Sequence, residues 1–483
     1  MSTHGVGASV LRKEDDRYLR GRGEFVGDIQ LAGTRHVAFL RSPVAHGYLR
    51  NASIPNECRQ QVFVADDLAA VAPIRAHSTL PGFKSSDQPV LASGKVRHVG
   101  ELIAMCVADT RAEAEDIVDA IGVEIEELPV LSDMLAAREA GAPLVHEEWG
   151  DNVFLTTDFE QDLDPIIARA AASVTRTIRT ARQSMSPLEG RGVLARWDSR
   201  LEQLVVYTST QQPHIVRTGL SECLGIEHAR IRVVAPDVGG GFGYKGILLP
   251  EEICLAWAAI KLGHPLKWLE DRRENLIASS NCREHHYTIT VYGDANGKLL
   301  AIDAEATVDA GAYSSYPFSA CLEAAQVVSI LPGVYDLEGY RCRTYAVATN
   351  KPPILPYRGV ARCGVCTALE LMVDALAREL AIEPTEVRFQ SLIGPEQMPF
   401  NNITSKHFDS GDYPESLRQV IDTIDLDSIR SRQQRGEADG RRIGIGFAMY
   451  TEQGAHGTTV YANWGIPMVP GHEQCTARLT PDG

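Results

Sequence analysis

At 483 residues the chain exceeds one ordinary hydrophobic core, so two or more packed units are expected. Its 47 basic against 63 acidic side chains leave a net charge of −16, which excludes a broad nucleic-acid or membrane-surface footprint. No apolar stretch approaches the roughly 20 residues that span a bilayer, and Met1 to Asp16 lacks the apolar core of a secretory signal, so the chain is expected to act in the cytoplasm.

Residues 18–135 read as mixed α/β. Leu102 to Ala108 is a nearly unbroken apolar run, as a strand buried on both faces requires. Thr110 and Glu113 form a capping-box pattern, and Ala114, Ile117, Val118 and Ile121 follow on one helical face. Val123 to Glu126 alternates like a half-exposed strand, so the order strand, helix, strand predicts a right-handed crossover. The pattern loosens over 136–161, with Gly141, Pro143, Gly150 and Asp151-Asn152, and a domain linker is expected there, between residues 1–135 and 162–483.

Beyond it, Leu204–Tyr207, Ile231–Ala235, Tyr287–Tyr292 and Leu299–Val308 read as strands, the last two joined by a turn at Asp294–Gly297. One helix opens with Pro250 at its first position and Glu251-Glu252 near the positive end of its dipole. A second carries Val365, Ala368, Leu369, Met372, Leu376 and Leu380 at helical spacing. Ala477 to Thr480 reads as a strand and Pro481-Asp482-Gly483 as a turn, which leaves an edge without its partner and points to a missing piece in another subunit or a longer chain.

Ten cysteines without framework spacing suit a reducing compartment. Cys363 and Cys366 form a lone C-x-x-C with no second pair to complete a metal site, and read as packing residues on a helix. Cys282, Glu284, His285 and His286 are metal-ligand types, yet adjacent histidines on a strand point to opposite faces, so no discrete zinc site is expected.

The most chemically informative stretch is Gly239-Gly240-Gly241-Phe242-Gly243-Tyr244-Lys245, between the strand at Ile231 and the helix at Pro250. With few side chains in the way, its backbone N–H groups are free to close on an anionic or oxo ligand. Gly241 to Gly246 also spells G-x-G-x-x-G, with Glu270 about 25 residues on, so a nucleotide-binding unit of an NAD(P)-dependent dehydrogenase is a competing reading. Against it, Leu248-Leu249-Pro250 separates the glycines from the helix, and Lys245 is followed by Gly246 rather than the Ser or Thr of a phosphate loop.

Several ordered motifs add to the loop: Ser209-Thr210-Gln211-Gln212-Pro213-His214, then Asp237-Val238 with the glycines, then Tyr357-Arg358-Gly359-Val360-Ala361-Arg362. In this order they resemble the molybdenum-binding subunits of the xanthine dehydrogenase and aldehyde oxidase family. Arg20 to Asp28, Arg41 to His46, Val96 to Glu101 and Gly141 to His146 resemble that family's a/b hammerhead domain. The resemblance implies an α+β fold, hammerhead first, then the first part of a molybdopterin-binding domain. It also implies oxidative hydroxylation with oxygen from water, by molybdenum held through a pterin, expected as the cytosine dinucleotide.

Carried over by position, Gln211 would hydrogen-bond near the metal's oxo ligand, the backbone of Phe242 and Gly243 would cover the same ligand, Gly240 and Gly241 would permit the close approach, and Arg358 would lie at the wall between cofactor and substrate. Iron–sulfur clusters and FAD are expected on separate partner subunits, since this chain has no motif for either. Purine-oxidising members carry a glutamate where Gly246 stands and an arginine in the stretch between Arg283 and Arg341, which has none. Carbon-monoxide-oxidising members carry a cysteine where Gly359 stands. An aldehyde or an N-heteroaromatic substrate is what remains. The family's second cofactor-binding half and its glutamate base have no counterpart here, so a polypeptide supplying that half is expected as a partner. The alternative is a non-catalytic scaffold subunit.

Overall fold

In a computed structural model the chain is described at residues 5, 7–454, 456–469 and 474–481. It divides into two compact units that interleave along the sequence: one holds 1–74, 89–128 and 186–279, the other 75–88, 129–185 and 280–483.

The first unit is organised on a seven-stranded mixed sheet. Its order is Ile231–Val234, Gln203–Thr208, Gly192–Asp198, Leu266–Leu269, Arg35–Arg41, Leu102–Ala108 and Val62–Val64. Leu102–Ala108 is buried at every position, as its apolar run predicts, and pairs antiparallel with Arg35–Arg41. Each aliphatic side chain fully removed from water in this way contributes about 1.5–3 kcal/mol. The helix Arg111–Ala120 begins with the expected capping box: Thr110 accepts from the Glu113 N–H at 3.2 Å, and the Glu113 carboxylate accepts from the Thr110 N–H at 3.1 Å. Ala114 packs against Ala38 and Ala108, the small side chains letting helix and sheet approach.

The expected crossover does not form. Gly122–Glu127 alternates in burial, but it belongs to a separate three-stranded sheet, antiparallel to Gly47–Ser53, with Leu49 opposite Ile125. Local alternation encodes a half-covered strand and leaves the choice of partner to distant residues.

The second unit centres on a five-stranded sheet in the order Val153–Phe159, Gly339–Val347, Leu299–Asp309, His285–Gly293 and Ala172–Thr180. Leu299–Asp309 and Gly339–Val347 run parallel, and the helix Cys321–Ile330 lies in the connection between them. The helix Ala361–Leu380 packs across His285–Gly293 and Ala172–Thr180, burying Met372 and Leu376 with Ile289 and Val291. Gly293 is needed there, since a Cβ would lie 2.8 Å from a Leu376 methyl.

Residues 136–161, expected as a linker, contribute to this unit: Val153–Phe159 is its edge strand, and Val145 and Phe154 are fully buried in its core. Turn-forming residues there punctuate short elements rather than marking a free segment. Ala477 to Thr480, expected as a strand, is not in a β-ladder among the described residues, and Leu479 is 91% exposed. A strand is defined by its ladder. Of the turn expected at Pro481 to Gly483, residues 482 and 483 lie outside the described residues. The described residues contain no helix long and apolar enough to cross a membrane.

Candidate functional site

The glycine loop in the first unit is fastened at both ends by charge. Upstream, Asp237 takes the Arg17 guanidinium, the Tyr18 hydroxyl at 2.9 Å and the Glu24 N–H at 2.8 Å. The Arg17 hydrogen bonds hold its carboxyl well below the usual carboxylate range. Downstream, Glu189 accepts from the Lys245 ammonium at 2.6 Å and from the Gly239 N–H at 2.7 Å through the same oxygen. Lys245 is 1% exposed, and burial pulls its pKa down against the pull of Glu189.

Between these anchors the chain makes two tight turns, Tyr244 N–H to Gly241 C=O and Gly246 N–H to Gly243 C=O, both at 2.9 Å. Gly240 and Gly243 take φ of +98° and +102°, a region open to glycine, and Phe242, a residue 45% exposed, joins them at +58°.

Gln211 is seated directly on this loop. Its N–H donates to the Lys245 carbonyl at 2.8 Å, and its side-chain Oε1 accepts from the Gly243 N–H at 2.8 Å. That bond assigns the amide, turning Nε2 away from Gly243. A Cβ on Gly241 would lie 2.6 Å from Gln211 Cδ, so the absence of a side chain permits this seating. The loop's far face is a buried polar floor. Tyr244 donates to Glu270, Glu270 accepts from the Arg191 N–H at 3.0 Å, and Arg191 faces Glu251 and Glu252 at 3.6 Å each. Burial raises the pKa of both Tyr244 and Glu270.

The sequence expectations at Gln211, Gly240, Gly241, Phe242 and Gly243 thus fall on one contiguous surface. Glu189 and Arg191 had no such signal, being isolated charges without a motif, and Glu270 stood out only as the acidic residue of the competing nucleotide-binding pattern. Glu251 and Glu252, read from sequence as partners of the helix dipole, are also buried ion-pair members, Glu251 with Arg41 at 3.0 Å.

The strand Ile231–Val234, the loop and the helix Pro250–Leu262 lead to Leu266–Leu269, which is separated from Ile231–Val234 in the sheet by two intervening strands. A nucleotide-binding βαβ unit places those two strands as parallel neighbours. The floor of this loop is also carboxylate-rich, the opposite of a phosphate cradle.

Arg358 belongs to the second unit, in a strained turn. Gly359 has φ +89° and Val360, a β-branched residue, φ +50° and ψ −124°, a combination that costs on the order of 1–3 kcal/mol. Arg283 holds the turn by stacking 4.2 Å from the Tyr357 ring centroid and donating to the Arg358 carbonyl. The Arg358 guanidinium is exposed and forms no ion pair among the described residues.

Beneath the following helix, buried His285 contacts the Tyr287 hydroxyl at 2.6 Å and Glu323 at 2.5 Å, while His286 lies on the other face of the strand as expected. A Cβ on Gly364 would come within 2.8 Å of both His285 Nδ1 and the Tyr287 oxygen, which accounts for glycine inside this helix. Cys363 and Cys366 are both free thiols. Cys363 is exposed, not packed as expected, because at i and i+3 the two straddle the edge of the buried face.

Residues 145–392 match the molybdopterin cofactor-binding domain, and residues 20–129 match the a/b hammerhead domain of aldehyde oxidase and xanthine dehydrogenase. The chain is 33% identical to the nicotine 6-hydroxylase large subunit of Paenarthrobacter nicotinovorans over 99% of its own length and 59% of that protein. It is 32% identical to the carbon monoxide dehydrogenase large chain of Hydrogenophaga pseudoflava, over 99% and 62% respectively. The solved structure of quinoline 2-oxidoreductase from Pseudomonas putida 86 superposes with a TM-score of 0.91 at 35% identity, covering 96% of this chain and 59% of that one. The chain therefore spans about three-fifths of the length of these relatives. With both domain matches in the order that the motifs imply, the chain belongs to the xanthine dehydrogenase and aldehyde oxidase family of molybdopterin-binding large subunits.

Proposed function

We propose that the chain is the cofactor-facing part of a molybdenum hydroxylase that oxidises an N-heteroaromatic compound or an aldehyde, with water as the oxygen source. The observation that carries this reading is the seating of Gln211 on the glycine loop. With Oε1 committed to the Gly243 N–H, the Gln211 Nε2 and the Phe242 N–H remain donors that no protein acceptor takes among the described residues. They lie beside glycines whose bare main chain admits a close approach. Such a pair, fixed before any ligand arrives, suits the oxo-bearing edge of a molybdopterin.

Bound there, molybdopterin would supply the two-electron oxidation and the activation of water. Gln211 and the Phe242 and Gly243 backbone would orient that edge, Gly240 and Gly241 would keep the approach open, and the exposed Arg358 would wall the substrate side. The cytosine dinucleotide form, iron–sulfur and FAD subunits as electron acceptors, and a cytoplasmic hetero-oligomer complete the reading. So does the order of a hammerhead followed by the first part of the cofactor domain, the latter taking in the residues from 145 onward. The catalytic base would come from a complementary half, on a partner polypeptide or a longer form of this one. Relatives named for nicotine and quinoline support the N-heteroaromatic choice. Gly246 and the arginine-free stretch between Arg283 and Arg341 speak against purines, and Gly359 against carbon monoxide.

The test is elemental analysis of the complex copurified after expression with full cofactor supply, with the released pterin identified by mass spectrometry. About one molybdenum per large subunit is expected, and Gln211→Ala should lower kcat on the order of a hundredfold by removing a preorganised donor. Metal far below that level would favour the non-catalytic scaffold. Saturable NAD or NADP binding at the glycine loop would overturn the reading altogether.

A further inference from the structure

The second unit contains a cavity of about 870 Å³ beside the first turns of the helix Ala361–Leu380. Its wall carries Arg362 and Lys406, both partly buried, and neither forms an ion pair within 4 Å among the described residues. This departs from the unit's practice elsewhere. Buried Arg388 is held by Glu370 and Asp374 at 2.8 Å each, and Lys351 by Glu284 at 2.9 Å and Asp309 at 2.8 Å. A cation withdrawn from water without a counter-charge is costly, so two side by side call for a third party.

Their surroundings narrow what it is. The Lys406 ammonium lies 5.0 Å from the Trp464 ring centroid, and His456 packs against the same ring at 5.1 Å, its Nε2 buried with no hydrogen-bond partner. Burial and the charge of Arg362 hold the Lys406 ammonium below its ordinary pKa, and burial, with the charges of Arg362 and Lys406, does the same to His456. The acidic groups that face the cavity, Glu452 and Asp409, are exposed and form no ion pair with either cation, and the distant pull of Glu452 on Arg362 is outweighed by burial, which lowers the guanidinium's pKa.

We infer that this cavity receives the carboxylate of an aromatic or heteroaromatic acid, the ring lying against Trp464 and the carboxylate between Arg362 and Lys406. The guanidinium fork matches a planar carboxylate, the lysine adds a point charge, and the aromatic wall supplies the apolar surface. Arg362 lies four positions after Arg358. On the functional reading above, which this step rests on, the cavity makes the substrate class a ring carboxylic acid.

Calorimetric titration of the purified chain with nicotinate and benzoate, against the neutral nicotinamide and benzamide, tests the inference without turnover. The acids are expected to bind at least about tenfold tighter than the amides. Arg362→Gln and Lys406→Gln should each remove about tenfold from the acids and leave the amides unchanged, while Lys406→Arg retains the preference. Equal affinity for acid and amide, acid binding indifferent to both substitutions, or displacement by inorganic phosphate as effective as by benzoate would overturn it. Molybdenum content is measured separately. A chain that binds acids but carries no metal would sink the hydroxylase reading alone, and a fully loaded complex without acid preference would sink this inference alone.

Discussion

Removing the carboxylate of Glu189 is the sharpest test of how the glycine loop is held. The Lys245 side chain has no exposure and its ion-pair partner is Glu189, at 2.6 Å and 19% exposed. Breaking a buried pair from one side costs about 3–5 kcal/mol because the remaining charge is stranded, and the partial exposure of Glu189 places Glu189→Gln near the lower end, at about 3 kcal/mol. Lys245→Met should cost less, about 1 kcal/mol, since the carboxylate left behind keeps the Gly239 N–H and some water.

The sign with pH follows from the lysine. Burial already holds its folded pKa below the unfolded value of about 10.4, and loss of Glu189 lowers it further. The penalty of Glu189→Gln is therefore complete below the folded pKa and fades as pH rises through it toward the unfolded value, so the deficit should be larger at pH 7 than at pH 9.5. Lys245→Met should show no such fading. Urea unfolding followed by tryptophan emission reads both. A Glu189→Gln cost under about 1 kcal/mol, equal costs for the two variants, or a deficit independent of pH would refute the clamp.

Three further outcomes separate loop geometry from general packing. Gly241→Ala should displace only the flexible Gln211 side chain, leaving stability within about 1 kcal/mol of the parent while lowering kcat as far as Gln211→Ala does. Gly190→Ala drives a methyl into the Glu270 backbone carbonyl, which has no rotamer to yield, and should cost about 1–3 kcal/mol in a thermal melt. Thr110→Ala should cost about 1 kcal/mol through the lost helix cap, with kcat unaffected.

What could be read in advance was local. The apolar run at Leu102 to Ala108, the Thr110 and Glu113 box, the Pro250 start and the helically spaced face at Val365 to Leu380 each carry their instruction within about four helical turns of chain or less, and each element formed as expected. The glycine loop was legible for the same reason, since a run of residues without side chains has few structural uses. Pairing was not legible. The Val123 to Glu126 alternation fits equally a crossover strand or the antiparallel partner of Gly47–Ser53, and the choice rests on residues some 75 positions away. Buried charge was hidden too: Glu251 looks like a helix-start acid until Arg41, 210 positions distant, arrives at 3.0 Å.

These hidden charges explain why the loop is useful rather than merely flexible. Glycine-rich main chain loses more entropy on ordering than any other, so a loop that is to present fixed donors needs its conformation imposed from outside. Asp237 is imposed on by Arg17, Tyr18 and Glu24, Lys245 and Gly239 by Glu189, and Tyr244 by Glu270, all from segments remote in sequence. Only the stretch from Gly240 to Gly243 escapes such a tether, apart from the one bond that turns Gln211 toward it. Rigidity at both ends and bare donors in the middle is the arrangement that lets a site stabilise charge without reorganising when a ligand binds. That places the energetic weight of the site on residues that never touch the ligand, and makes Glu189 a better probe of the design than any glycine in the loop.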